Sequence, residues 1–135
     1  MQSDLKNEII EYLQNRKGDY GFYYRNLKSG KEIGYNENTI FPAASIIKIP
    51  IMIEFFSQTE KGLIDKDKLI SLPVTNRVGG AGILHELRDD IKMKLSELVL
   101  LMIILSDNTA TNLVIDILGI DNINKFLNKR DYKSC

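Results

Sequence analysis

The chain has 135 residues, with 18 basic and 18 acidic side chains and a formal net charge of zero. That length suits one domain with its own apolar core, and the balanced charge lacks the basic excess of a nucleic-acid-binding surface. One cysteine, Cys135 at the last position, excludes an intramolecular disulfide and a cysteine-based metal cluster.

The first residues, Met1-Gln2-Ser3-Asp4-Leu5-Lys6, carry charges where an export signal needs an apolar run of about 7–15 residues. As given, the chain therefore has no signal peptide, which by itself would keep it cytoplasmic and leaves its compartment open. Leu5, Ile9, Ile10 and Leu13 share one face of a helix predicted from about Asp4 to Arg16, which Gly18 stops. Tyr20-Gly21-Phe22-Tyr23-Tyr24 is rich in aromatics and predicts a strand. Asn26 to Gly30 is a turn, and Lys31 to Tyr35 is the returning strand of a hairpin.

After a polar loop at Asn36 to Thr39, Phe41-Pro42-Ala43-Ala44 leads into a helix predicted from about Ser45 to Thr59. Pro50 sits near its start, where a missing N–H costs least, and Gly62 follows its end. Asp65 to Leu72 is expected as a short helix and an extended piece, and Thr75 to Gly82 as a glycine-rich connection. Lys94-Leu95-Ser96-Glu97 opens another helix, with Ser96 as its predicted N-cap. It runs through the apolar octet Leu98–Leu105, far short of the roughly 20 residues that cross a membrane. Ser106-Asp107-Asn108 breaks this run. Thr109 to Leu118 forms the next helix, closed by Gly119, and Asp121 caps a last one to about Lys129.

Two clusters can carry chemistry. In Ser45-Ile46-Ile47-Lys48, positions i and i+3 share a helix face, so the lysine amine can reach the hydroxyl. A serine hydroxyl is a weak nucleophile until a neighbouring base takes its proton, and a lysine serves when its surroundings disfavour its charge. Ser3-Asp4-Leu5-Lys6 has the same spacing and is read as an N-cap with a solvated lysine. The same bland account is open for Ser45, although Lys48 sits among Ile46, Ile47, Ile49, Ile51, Met52 and Ile53. For Ser106-Asp107-Asn108 the bland account is a helix stop and a new N-cap. The functional one is a proton relay beside a group that binds a substrate amide. The one histidine, His85, lies between Leu84 and Glu86 and is read as a surface or packing residue.

Together and in this order, Phe41-Pro42-Ala43-Ala44-Ser45-Ile46-Ile47-Lys48, Gly80-Ala81-Gly82-Ile83-Leu84 and Ser106-Asp107-Asn108-Thr109-Ala110-Thr111-Asn112 resemble class A β-lactamases and related penicillin-binding proteins. The resemblance runs from about Tyr20 to Leu118. It implies an α/β (α+β) fold of the β-lactamase/transpeptidase type, one partial domain over residues 1–135. Residues 1–40 would give the helix and β-hairpin, and residues 41–135 the helical part, without the C-terminal sheet strands. By the same resemblance, Ser45 is acylated by a β-lactam or a D-Ala-D-Ala-like peptide and Lys48 takes part in proton transfer. Ser106 passes a proton to the leaving nitrogen, Asn108 hydrogen-bonds the substrate's side-chain amide, and Asp107 is structural. Gly79 to Gly82 is either the rim of the cleft or a plain turn. Neither a metal nor an organic cofactor is implied, and the family usually works outside the cytoplasm.

The chain departs from the family pattern in two places. The K-[ST]-G motif belongs downstream of Ser106, whereas Lys28-Ser29-Gly30 lies upstream in a hairpin turn and Lys133-Ser134-Cys135 lacks the glycine. The Glu-x-x-Leu-Asn pattern that activates the deacylating water is echoed only by Phe126-Leu127-Asn128, with Asn124 where the glutamate would stand. The expectation is a truncated serine hydrolase without full turnover, or one segment of a split or dimeric enzyme. The alternatives are a D-Ala-D-Ala peptidase or penicillin-binding protein, and a non-catalytic helical fragment that binds a partner. The exposed hairpin edge would permit self-association or a complementing chain.

Overall fold

The structure is a computed structural model that describes residues 2–72, 75, 77–88 and 91–128. The elements are α1 (Gln2–Gln14), β1 (Phe22–Arg25), β2 (Glu32–Tyr35), α2 (Lys48–Glu60), β3 (Leu69–Ser71), β4 (Lys92–Lys94), α3 (Leu95–Ile104), α4 (Asn108–Leu118) and α5 (Ile120–Asn128). Short 3-10 turns occupy Ala44–Ile47 and Leu84–Glu86. Two compact units divide the chain, Met1–Pro42 and Ala43–Cys135. Among the described residues, no helix is long and apolar enough to cross a membrane.

The first unit holds α1 and the antiparallel hairpin β1–β2, with Phe22 opposite Tyr35 and Tyr24 opposite Ile33. Phe22 and Tyr35 put their ring centroids 6.4 Å apart, the cross-strand aromatic contact that an aromatic-rich strand favours. Lys28-Ser29-Gly30 lies in the turn. Asn26 Oδ1 accepts from the Lys28 and Ser29 N–H groups at 3.0 and 2.9 Å, and Gly30 adopts φ +68°, a conformation open to glycine at little cost.

The second unit is built around α2, which packs on α3, α4 and α5. Ile51 and Phe55 of α2 meet Leu95, Leu98 and Met102 of α3 and Val114 and Leu118 of α4 in one buried cluster. The helix starts later than the sequence suggests. Pro50 has no N–H to offer the Ile46 carbonyl, so the turn carrying Ser45 is 3-10 and the α-helix proper begins at Lys48.

Three other expectations need correction. Within Asp65–Leu72 the expected extended piece is present as β3, but the short helix expected beside it is only a turn, and β3 pairs antiparallel with β4, residues 92–94, with Ile70 opposite Met93. The pair is extended by bonds from Leu72 N to Ile91 O (3.2 Å) and from Leu95 N to Lys68 O (3.0 Å). The N-cap of α3 is Lys94 and not Ser96. Glu97 Oε2 accepts from Lys94 N at 2.8 Å, and this acceptor satisfies the helix start. Asp121 lies inside the first turn of α5, which begins at Ile120 directly after Gly119. Lys129, the expected end of that helix, lies outside the described residues.

Candidate active site

The site belongs to the second unit and is assembled from the head of α2 and the α3–α4 junction. Ser45 is exposed in the 3-10 turn, and the preceding Ala44 holds φ +44°, a left-handed conformation that costs a residue with a Cβ. Lys48 stands three residues on and is buried, at 5% exposure. Its Nζ is 3.4 Å from Ser45 Oγ, as the i, i+3 spacing requires.

Ser106 comes from across the fold. It ends the α3 run with φ +54°, which turns the chain and aims its hydroxyl at α2. Its Oγ lies 2.8 Å from Ser45 Oγ and 2.7 Å from Lys48 Nζ. Lys48 also donates to the Ser106 carbonyl at 2.6 Å and to Asn108 Oδ1 at 3.1 Å. The four acceptors around this buried amine are therefore neutral oxygens. Ser45 Oγ, Lys48 Nζ and Ser106 Oγ form a closed triangle of hydrogen-bonding atoms, a geometry through which a proton can move between two hydroxyls and an amine.

Asp107 turns the other way. Its carboxylate is fully buried; Oδ1 accepts from Ala110 N at 2.8 Å, capping α4, while Oδ2 accepts from Ile83 N at 2.7 Å and Leu84 N at 2.9 Å. Gly82 passes beside it with φ +116°, and a Cβ there would lie 2.6 Å from Asp107 Cα, so only glycine fits.

The connector is tied to the site at two further points that the sequence does not reveal. Asn108 donates from Nδ2 to Gly79 O at 3.3 Å and from its backbone N to Ala81 O at 3.0 Å. The buried Thr109 hydroxyl accepts from Val78 N at 3.0 Å and donates to Val78 O at 3.3 Å. The only sequence signal for these contacts is the density of glycines at 79, 80 and 82, which lets backbone approach backbone.

The structure thus brings Ser45, Lys48, Ser106 and Asn108 together. The other candidates are not part of this group. Ser3 and Lys6 belong to α1 in the other unit. His85 Nε2 faces Glu86 Oε1 at 3.1 Å, while its Nδ1 is buried without a partner. Asn124 and Leu127 are part of α5, and Lys133-Ser134-Cys135 lies outside the described residues. Among the described residues, no group of three or more His, Cys, Asp or Glu side chains is placed to hold a metal ion.

A family model described as the β-lactamase enzyme family matches residues 4–135. Of solved structures, a β-lactamase from Sphaerobacter thermophilus is 34% identical, with a TM-score of 0.74 over 81% of this chain and 40% of that one. PBP-A is 30% identical, with a TM-score of 0.85 over 93% of this chain and 48% of its own; a mutant of it has been solved as an acyl-enzyme complex with penicillin-G. An ancestral class A β-lactamase is 25% identical, with a TM-score of 0.81 over 93% of this chain and 49% of that one. The chain therefore spans less than half the length of each of these. No curated protein matches it.

Proposed function

This chain belongs to the β-lactamase enzyme family, and from that premise we propose that Ser45 is the nucleophile of a serine hydrolase acylated by β-lactams. The fold, mixed helices with small sheets, is of the β-lactamase/transpeptidase type. The observation that carries the proposal is the triangle of Ser45 Oγ, Lys48 Nζ and Ser106 Oγ, closed by distances of 2.8, 2.7 and 3.4 Å.

In this reading, Ser45 Oγ attacks the lactam carbonyl carbon and gives up its proton to the Lys48–Ser106 pair. The tetrahedral centre collapses, the carbon–nitrogen bond of the ring breaks, and Ser106 delivers a proton to the departing nitrogen. One proton enters the relay and one leaves it, so the step balances as an ester at Ser45 and a ring-opened amine. Asn108, beside the relay, hydrogen-bonds the amide of the substrate's side chain. The acceptors around Lys48 are neutral, and acylation is the step that these side chains account for. Release of the acyl group needs a water and a base beyond them. The likeness to PBP-A, caught as a mutant acyl-enzyme, favours a second reading in which the acyl group is retained and the natural substrate is a D-Ala-D-Ala-like peptide.

Incubation with a fluorescent penicillin followed by mass spectrometry tests the proposal. The expected result is one adduct, on the peptide containing Ser45, which is lost in Ser45→Ala and formed at least about a hundredfold more slowly in Lys48→Ala. Wild-type protein that stays unlabelled at high probe concentration would defeat it. Steady hydrolysis of a chromogenic cephalosporin would instead exclude the retained-acyl reading.

A further inference from the structure

We propose that the first unit carries a binding site of its own, for a free α-amino acid with an aromatic side chain. The site is a cavity of about 390 Å³, and every residue lining it belongs to Met1–Pro42. The inference is independent of the roles given above to Ser45 and Lys48.

Three stretches of chain build the walls. They are the end of α1 with Leu13 and Arg16, the turn with Asp19 and Tyr20, and the segment from Tyr35 in β2 to Phe41. Hydrogen bonds fix these stretches. Tyr20 Oη donates to Lys17 O at 2.8 Å, Asn36 Nδ2 donates to Tyr20 O at 2.9 Å, and Thr39 N donates to Asn36 O at 3.0 Å. The Phe41 ring lies on bare backbone: a Cβ at Gly21 would stand 2.7 Å from its Cε2 and 3.1 Å from Asn36 O. A side chain at 21 would push both the ring and the loop away. The cavity is therefore formed by the fold itself, and a ligand need not order its walls.

The lining states what fits. Tyr20, Tyr35 and Phe41 supply three rings, which suit an aromatic group. Of the lining side chains only Arg16 and Asp19 are charged, and they carry opposite signs. They stand three residues apart without pairing, and among the described residues no other charge pairs with either. Arg16 Nη2 donates to Tyr12 Oη at 2.6 Å, and its Cζ lies 4.3 Å from the Tyr12 ring centroid. That contact holds the guanidinium and leaves most of its N–H groups for a ligand carboxylate. Asp19 accepts no hydrogen bond from a described side chain and can take an ammonium group. A ligand of single charge would match one of the two and be repelled by the other, whereas a zwitterion matches both. An aromatic α-amino acid joins the two charges to a ring at a size that a cavity of this volume admits.

The test is a titration of the whole chain with L-phenylalanine, phenethylamine and hydrocinnamate, followed by amide NMR. Phenethylamine keeps the ring and the ammonium, and hydrocinnamate keeps the ring and the carboxylate. Phenylalanine should give saturable shifts at Gly18–Gly21 and Asn36–Phe41, with an affinity at least about threefold above either analogue, the scale of an exposed ion pair. Arg16→Gln should abolish the preference over phenethylamine, and Asp19→Asn the preference over hydrocinnamate. Both side chains are exposed, and each preference is a ratio within one protein, so a change in stability does not enter it. A thermal melt identifies a variant that fails to fold, and the other then decides. Absence of saturable shifts up to the solubility limit of phenylalanine, shifts centred on other residues, equal affinity for the three compounds, or preferences that survive both substitutions would overturn the inference.

Discussion

The carboxylate of Asp107 is fully buried and meets three backbone N–H groups, from Ala110, Ile83 and Leu84. It joins the start of α4 to the connector, and so holds Ser106 and Asn108 on either side of it. Asp107→Ala leaves those donors buried without an acceptor, and a loss of about 3 kcal/mol of stability is expected. Asp107→Asn should also destabilise, because an amide N–H₂ would face a backbone N–H at one of its two positions. Urea unfolding followed by circular dichroism measures both, and a change below about 0.5 kcal/mol for Asp107→Ala, the scale of a neutral surface substitution, would remove the brace. At this scale the site was partly legible in the sequence. Ser45 and Lys48 are three residues apart, and helical spacing alone brings their side chains together. Ser106 is 61 residues away from Ser45, and no local periodicity predicts that distance; the order of two motifs pointed to it. The contacts of Thr109 with Val78 and of Gly82 with Asp107 left no trace beyond glycine content, because they depend on where two distant segments cross.

The pair β3–β4 shows what an element needs in order to be visible. Lys94 ends β4 and caps α3, and its Nζ lies 2.9 Å from Asp67 Oδ1, while Lys66 Nζ lies 2.9 Å from Asp67 Oδ2. The Lys94 hydrogen bond, then that of Lys66, holds the Asp67 carboxyl down at about 2 from an ordinary value near 3.8. A carboxylate held low in the folded state stabilises it above its unfolded pKa, and that contribution disappears as the pH falls from about 4 to about 2. The group is exposed, so the effect is small and weakens with salt. Wild type should therefore lose more of its urea midpoint between about pH 4 and pH 2 than Asp67→Asn does, and the difference should shrink in about 1 M salt. Identical pH profiles for the two proteins would contradict the ion pair. The hairpin β1–β2 was readable from its aromatics and its Asn-to-Gly turn. The pair β3–β4 was not, since three-residue strands with only Ile70 and Met93 half-buried leave no alternation to detect. The late start of α2 follows from Pro50: its position near the helix start is legible in the sequence, whereas its effect on the preceding turn depends on the missing bond to the Ile46 carbonyl.

At the scale of the molecule, the two units differ in what they bury. Among the described residues, the buried apolar side chains, from Ile51 through Leu98, Met102 and Val114 to Leu127, all belong to Ala43–Cys135. In Met1–Pro42, Ile9, Ile10, Leu13 and Ile33 are only half-buried, and Gly34 alone among the described residues is fully buried. The sequence carries part of this asymmetry, since the apolar runs around Lys48 and at Leu98–Leu105 both fall in the second part, but not its extent. Periodicity gives the face that an element buries and not how completely it is covered. A two-stranded hairpin is marginal in water unless other elements cover it, and local opening costs least where few apolar contacts are broken. Hydrogen exchange should then separate the units. Amides of Leu98–Met102 in α3 and Ala110–Val114 in α4 should be the slowest to exchange, at rates set by unfolding of the whole second unit. Those of Phe22–Arg25 and Glu32–Tyr35 should exchange at least about a hundredfold faster, an opening easier by about 2.7 kcal/mol. Mass spectrometry of peptides after timed exchange resolves the two groups. Equal protection in the hairpin and in α4 would mean that the first unit opens only together with the second, and the asymmetry of the core would then not govern stability.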